Sequence, residues 1–126
     1  MTDAHPHPPG PHDVLRSFAG HLDADPATVF ARLETALAAG DEVAGHVAID
    51  RARSVVVVEG DWWYRGEYRV LPEETGALVQ FEIFNAARVA HRVAGWAARS
   101  VLAAAPAAFG RLLTVVQSAI DLDGDA

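Results

Sequence analysis

Trp62-Trp63-Tyr64-Arg65-Gly66-Glu67-Tyr68-Arg69-Val70-Leu71 alternates with period two along its whole length. Successive side chains of a strand point to opposite faces. Trp62, Tyr64, Gly66, Tyr68 and Val70 therefore share one face, and Trp63, Arg65, Glu67, Arg69 and Leu71 the other. The charged face is expected to meet water and the aromatic face a core. Residues 72–76 have turn composition, with Pro72 and Gly76 at the two ends. Residues 77–85 then resume the alternation, with Val79, Phe81 and Ile83 inward and Gln80 and Glu82 outward. Two strands joined by a short loop make an antiparallel hairpin.

Upstream of this hairpin, residues 54–59 carry four consecutive valines, a strongly β-favouring run. Residues 46–50 form a shorter candidate strand. Further back the period changes. Asp25 is a good helix N-cap and Pro26 is tolerated at the first helical position. Val29, Phe30, Leu33 and Leu37 follow at helical spacing, and Gly40 supplies the stop. Before the helix, residues 14–22 read as a first strand, with Val14, Phe18 and Leu22 on one face.

Downstream, residues 85–120 have helical composition and contain no acidic side chain. One straight helix of that length would reach about 50 Å at 1.5 Å per residue. A compact domain of this size is only about 36 Å across. Pro106 offers the remedy, a kink or break just before it. Beyond it Phe109, Leu112, Leu113, Val116 and Ile120 line one face, which needs a sheet to cover. The expected fold class is therefore α+β. Residues 13–121 make one domain between a Pro/His-rich tail at 1–12 and a frayed acidic tail at 122–126. The final Asp-Leu-Asp-Gly-Asp-Ala resembles the start of a calcium loop, but the bidentate Glu such a loop needs is missing.

Composition bounds the function. The chain has 126 residues, 51% of them hydrophobic, enough for a real core. Its formal charge is −7, and every basic residue is Arg. An acidic chain repels phosphate backbones, which argues against nucleic acid as partner. Without Cys there are no disulfides, thiolate nucleophiles or thiolate metal sites. The start of the chain is polar and Pro-rich, with no apolar signal-peptide core. The apolar stretch 93–109 is interrupted by Arg99, Ser100 and Pro106. The expectation is a cytoplasmic protein without stable membrane insertion.

The order of elements carries a resemblance. Leu22-Asp23-Ala24-Asp25-Pro26-Ala27-Thr28-Val29-Phe30 resembles the opening motif of the START-like (SRPBCC) superfamily, which includes polyketide cyclase and dehydratase relatives. Trp63 through Val70, with Pro72, Gly76 and Val79, is similar to its central hairpin. The resemblance spans roughly residues 14–120. It implies a helix-grip fold, a curved antiparallel sheet wrapped around a long C-terminal helix kinked near Pro106, with a cavity between them. It also implies a small hydrophobic ligand, a lipid, polyketide or similar molecule. The chain departs from the pattern after Gly40, where the five residues before His46 leave little room for the second helix that relatives carry.

The residue types rank the candidates. Trp62, Tyr64, Tyr68 and Phe81 supply broad apolar faces, and the two phenols can orient a polar group. A filled core explains Phe81 equally well. Arg88, Arg92 and Arg99 fall within about 40° of one another on a helix, beside a stripe that includes Trp96. The plain account pairs these arginines with acids such as Glu67 or Glu82. The sharper one sets Arg92 at the cavity mouth, holding a ligand carboxylate or enolate. Trp63, on the charged strand face, would stack on Arg65 or mark a homodimer contact. His21, His46 and His91 are isolated, and the tail histidines 5, 7 and 12 lie in flexible composition. No nucleophile elbow, phosphate loop or metal spacing occurs, so no cofactor or metal is implied and no residue is assigned a catalytic role. Three functions stay open: a hydrophobic-ligand binder, a cyclase- or dehydratase-type enzyme using cavity Tyr, His and Arg, and a small interaction protein with a vestigial pocket.

Overall fold

The structure is a computed structural model that describes residues 14–39, 46–60, 64–85 and 99–124. It is an α+β fold. Strand β1 (Val14–Leu22) is followed by helix α1 (Pro26–Ala39), then by strands β2 (His46–Asp50), β3 (Val55–Glu59), β4 (Tyr64–Pro72) and β5 (Ala77–Asn85), then by helix α2 (Arg99–Gly124). The strands form one antiparallel sheet in the order β1-β5-β4-β3-β2. Four consecutive strands thus make a meander, and the first strand closes against the last.

Local chemistry accounts for most element boundaries. Asp25 caps α1: its carboxylate accepts from the Thr28 amide at 3.2 Å and from the Thr28 hydroxyl at 2.7 Å. That hydroxyl bond, with the Thr28 amide bond second, holds the Asp25 carboxyl below its usual range. Two positions need a left-handed backbone. Gly76, at φ 98°, closes the β4–β5 turn, where the Glu73 amide donates to the Gly76 carbonyl at 3.2 Å. Ser54, at φ 56°, ends the β2–β3 turn that Asp50 organises through the Arg53 amide.

Both described helices lie on one sheet face. Val29, Phe30 and Leu33 of α1 and Ala105, Phe109 and Val116 of α2 form one core with Val56, Val58, Tyr68, Val70, Val79, Phe81 and Ile83. Burying such a side chain stabilises by roughly 1.5–3 kcal/mol, so this face dominates stability.

Four expectations change. First, β1 carries a bulge between Val14 and Arg16. The bulge sets Val14 opposite Phe84, away from the helices, and Leu15 packs on the core in its place. Second, of the kink or break expected at Pro106, the break is absent: α2 runs through Pro106, although Pro cannot donate to the Leu102 carbonyl. Third, α2 continues past Asp121 to Gly124, and Asp123 forms an ion pair with Arg32 of α1. That long-range pair holds part of the segment expected to fray. Fourth, the charged face of β4 is not open to water: Arg65 is 4% exposed and Glu67 1%.

Candidate functional site

The face of β4 toward the helices supplies an aromatic floor. Tyr68 stacks on Phe81 with ring centroids 4.2 Å apart and planes 9° from parallel. Phe81 also stacks on Phe18 at 6.0 Å and on Phe109 at 5.6 Å, and Phe18 lies 5.8 Å from Phe109. Cross-strand register causes this cluster, because Phe81 is the direct partner of both Phe18 on β1 and Tyr68 on β4. Each such pair adds about 0.5–1.5 kcal/mol beyond its area burial. Phe109 closes the cluster from α2. Further along that helix, Gln117 accepts from the Asp23 amide at 3.1 Å, which anchors α2 against the far end of β1.

Gly66 explains how Tyr64 fits. A methyl group at Gly66 would meet the Tyr64 hydroxyl at 2.8 Å and Phe81 Cε1 at 2.9 Å. The missing side chain therefore leaves the space into which the Tyr64 phenol folds. Its hydroxyl bonds with that of Tyr68, yet burial dominates and pushes the Tyr64 phenol up to about 12. The Tyr64 phenol therefore stays protonated at neutral pH, able to donate. Tyr64, Leu15 and Leu102 are only half-buried against this core. The apolar floor is deep at Tyr68 and Phe81 and partly open at the Tyr64 end.

Of the six residues expected at the site, the structure brings together Tyr64, Tyr68 and Phe81. Trp62, Arg92 and Trp96 lie outside the described residues, as does Trp63. Sequence reasoning did not bring Phe18 and Phe109 into one stack with Phe81, nor Leu15 and Leu102 onto the same core. The alternation of β5 marked Phe81 as inward, but only the strand order shows that Phe18 faces it. Arg99 makes no ion pair among the described residues. Glu67, offered above as an arginine partner, is instead taken by Arg65 of its own strand, whose Nε lies 2.8 Å from Glu67 Oε2. Arg65 also reaches Glu59 at 3.0 Å.

Among the described residues no group of three His, Asp or Glu side chains converges as a metal site. Residues Val101–Asp123 of α2 are long and apolar enough to cross a membrane by length and composition. The same segment carries Ala105, Phe109 and Val116, which are buried against the sheet. No family model matches the sequence, and no curated protein or solved structure matches it either.

Proposed function

We propose that the chain is a helix-grip domain of the START-like kind that binds a small hydrophobic molecule between the sheet and α2, at the Tyr64 end of the aromatic floor. The five-stranded sheet with one long helix across its apolar face fits that arrangement. The observation that carries the proposal is the pair of phenol hydroxyls set beside a half-open apolar surface. Such a combination suits a ligand with an apolar body and one polar group. The net charge of −7 supports a small-molecule partner over a nucleic acid.

The test is a titration of the full chain with 1-naphthol, followed by intrinsic fluorescence, beside native mass spectrometry of the purified protein. Saturable binding of one equivalent is expected. Tyr68→Phe keeps the stack and removes one hydroxyl, so affinity should fall about fivefold, the worth of a ~1 kcal/mol hydrogen bond. A chain that neither saturates with the probe nor carries an apolar passenger overturns the reading.

A second reading is favoured by the tightness of the ring stack. Tyr68 and Phe81 at 4.2 Å leave no gap between them for a ligand. If that packing extends to the Tyr64 end, the domain is a small interaction protein with a vestigial pocket. Substituting Leu102→Trp discriminates: it blocks probe binding in the first reading and has nothing to block in the second.

A further inference from the structure

We propose that His21, clasped between Glu73 and Asp23, is a pH-sensitive latch that holds the corner where β1, the β4–β5 turn and α2 meet. The geometry is specific. His21 Nδ1 lies 2.5 Å from Glu73 Oε1, and His21 Nε2 lies 3.0 Å from Asp23 Oδ1. A neutral imidazole carries one N–H and one lone pair. It can donate to one of these carboxylates only, and it turns its lone pair on the other. Both contacts are satisfied together only by the imidazolium, which donates from both nitrogens.

The latch joins segments far apart in the chain. His21 sits one residue before the end of β1, opposite Leu78 of β5. Glu73 belongs to the β4–β5 turn, and its amide closes that turn by donating to the Gly76 carbonyl. The His21 ring lies against the turn, since a methyl at Gly76 would meet His21 Cε1 at 2.8 Å. Asp23 is tied in turn to α2, because its amide donates to Gln117 Oε1, while Gln117 Nε2 donates to Asp121 at 3.0 Å. One ring thus connects three elements, two directly and the third through Asp23.

The charged groups around the ring are acidic on each side. Glu73 faces it from the hairpin turn and Asp23 from its own loop. From α2 the nearest members of the network are Gln117, which does not titrate, and Asp121, which Gln117 holds. From the start of α1, Asp25 is committed to Thr28. Leu78 on β5 is apolar. The Glu73 hydrogen bond, then the Asp23 hydrogen bond, raises the His21 pKa above its ordinary 6.5. The sign follows. A histidine raised on folding contributes stability that is fully present below pH 6.5 and is lost as pH rises through the folded value. The corner is therefore latched below pH 6.5 and loosens as pH rises through the folded value. The ring is partly solvent-accessible, so proton exchange needs no unfolding.

The test uses NMR on the full chain. The His21 ring should titrate above 6.5 with both nitrogens protonated on the acid side. Glu73→Gln should lower that value toward 6.5, and Asp23→Asn should lower it less. Amide exchange in the β4–β5 turn, corrected for its intrinsic pH dependence, should accelerate across the same titration in the wild type and not in His21→Gln. A ring that titrates at or below 6.5, or a value unmoved by Glu73→Gln, overturns the proposal. So does turn exchange that does not follow the ring. Glu73→Gln keeps the shape of the side chain, so a folded variant is expected. Should it unfold, the wild-type titration and exchange decide alone.

Discussion

The two faces of β4 are both buried, but by opposite chemistry. Toward the helices, Tyr68 and Val70 join an apolar cluster of stacked rings and aliphatic side chains. On the other side, Arg65 and Glu67 form an ion pair with exposures of 4% and 1%. Val55 and Val57 of β3 and Phe84 of β5 are buried on this side too, at no more than 3% exposed. The register puts Val57 and Glu82 on either side of Glu67. The first face is held by area and shape, and any apolar group of the right volume would serve. The second is held by charge balance, and it fails if one member is removed. That difference ranks the substitutions.

The largest effects should be equal in size and different in kind. Phe81→Ala removes the ring at the centre of the stack and should cost about 3–5 kcal/mol, read by urea denaturation. Arg65→Ala should cost a similar ~3–5 kcal/mol, because it leaves Glu67 buried and uncompensated. The faces separate in the double substitution. Arg65→Met with Glu67→Leu removes both charges and keeps volume, so it should be neutral or stabilise by up to ~4 kcal/mol. A double variant as damaged as Arg65→Ala would show that the pair is held by more than mutual neutralisation.

A smaller effect tests the apolar face for shape alone. Gly66→Ala adds one methyl where Tyr64 and Phe81 already lie. Overpacking of this kind costs about 1–3 kcal/mol. The Tyr64 ring can swing outward, so the low end of that range is expected, with loss of the Tyr64–Tyr68 hydroxyl contact. An unchanged denaturation midpoint would mean that the rings are not seated on Gly66.

Much of the apolar face was legible in the sequence, and the charged face was not. The alternation of residues 77–85 and the Asp25-Pro26 opening predict β5 and the start of α1 as found, and residues 14–22 predict the span of β1. Period and capping are local properties, so one chain segment suffices to read them. The bulge at Leu15 leaves no such mark, because it depends on how β1 meets β5. The burial of Arg65 and Glu67 is missed for a related reason. A binary pattern equates charge with water, and nothing in the spacing says that a charge will be paired and covered. For the site, inward aromatics announce themselves, but their mutual stacking needs the strand order. Leu102, which packs on the same core from α2, far along the chain, leaves no local mark either.

The smallest prediction decides whether burial or the Arg65 partner governs Glu67. One of its oxygens, Oε2, accepts from Arg65, while Oε1 has no hydrogen-bond partner and lies 3.8 Å from Arg69. Burial pushes the carboxyl above its ordinary 4.5, and neighbouring Glu82 pushes the same way, while Arg65 and Arg69 pull it down. A carboxyl raised on folding contributes stability that is complete below 4.5 and is lost as pH rises through the folded value. Glu67→Gln is nearly isosteric and does not titrate. Measured at pH 4 and pH 7, the wild type should therefore lose stability relative to Glu67→Gln across that interval. His21 contributes equally to both proteins, so it cancels in the difference. A wild type that gains relative to Glu67→Gln would mean that Arg65 outweighs burial, and the charged face would then hold its pair as firmly as the apolar face holds its rings.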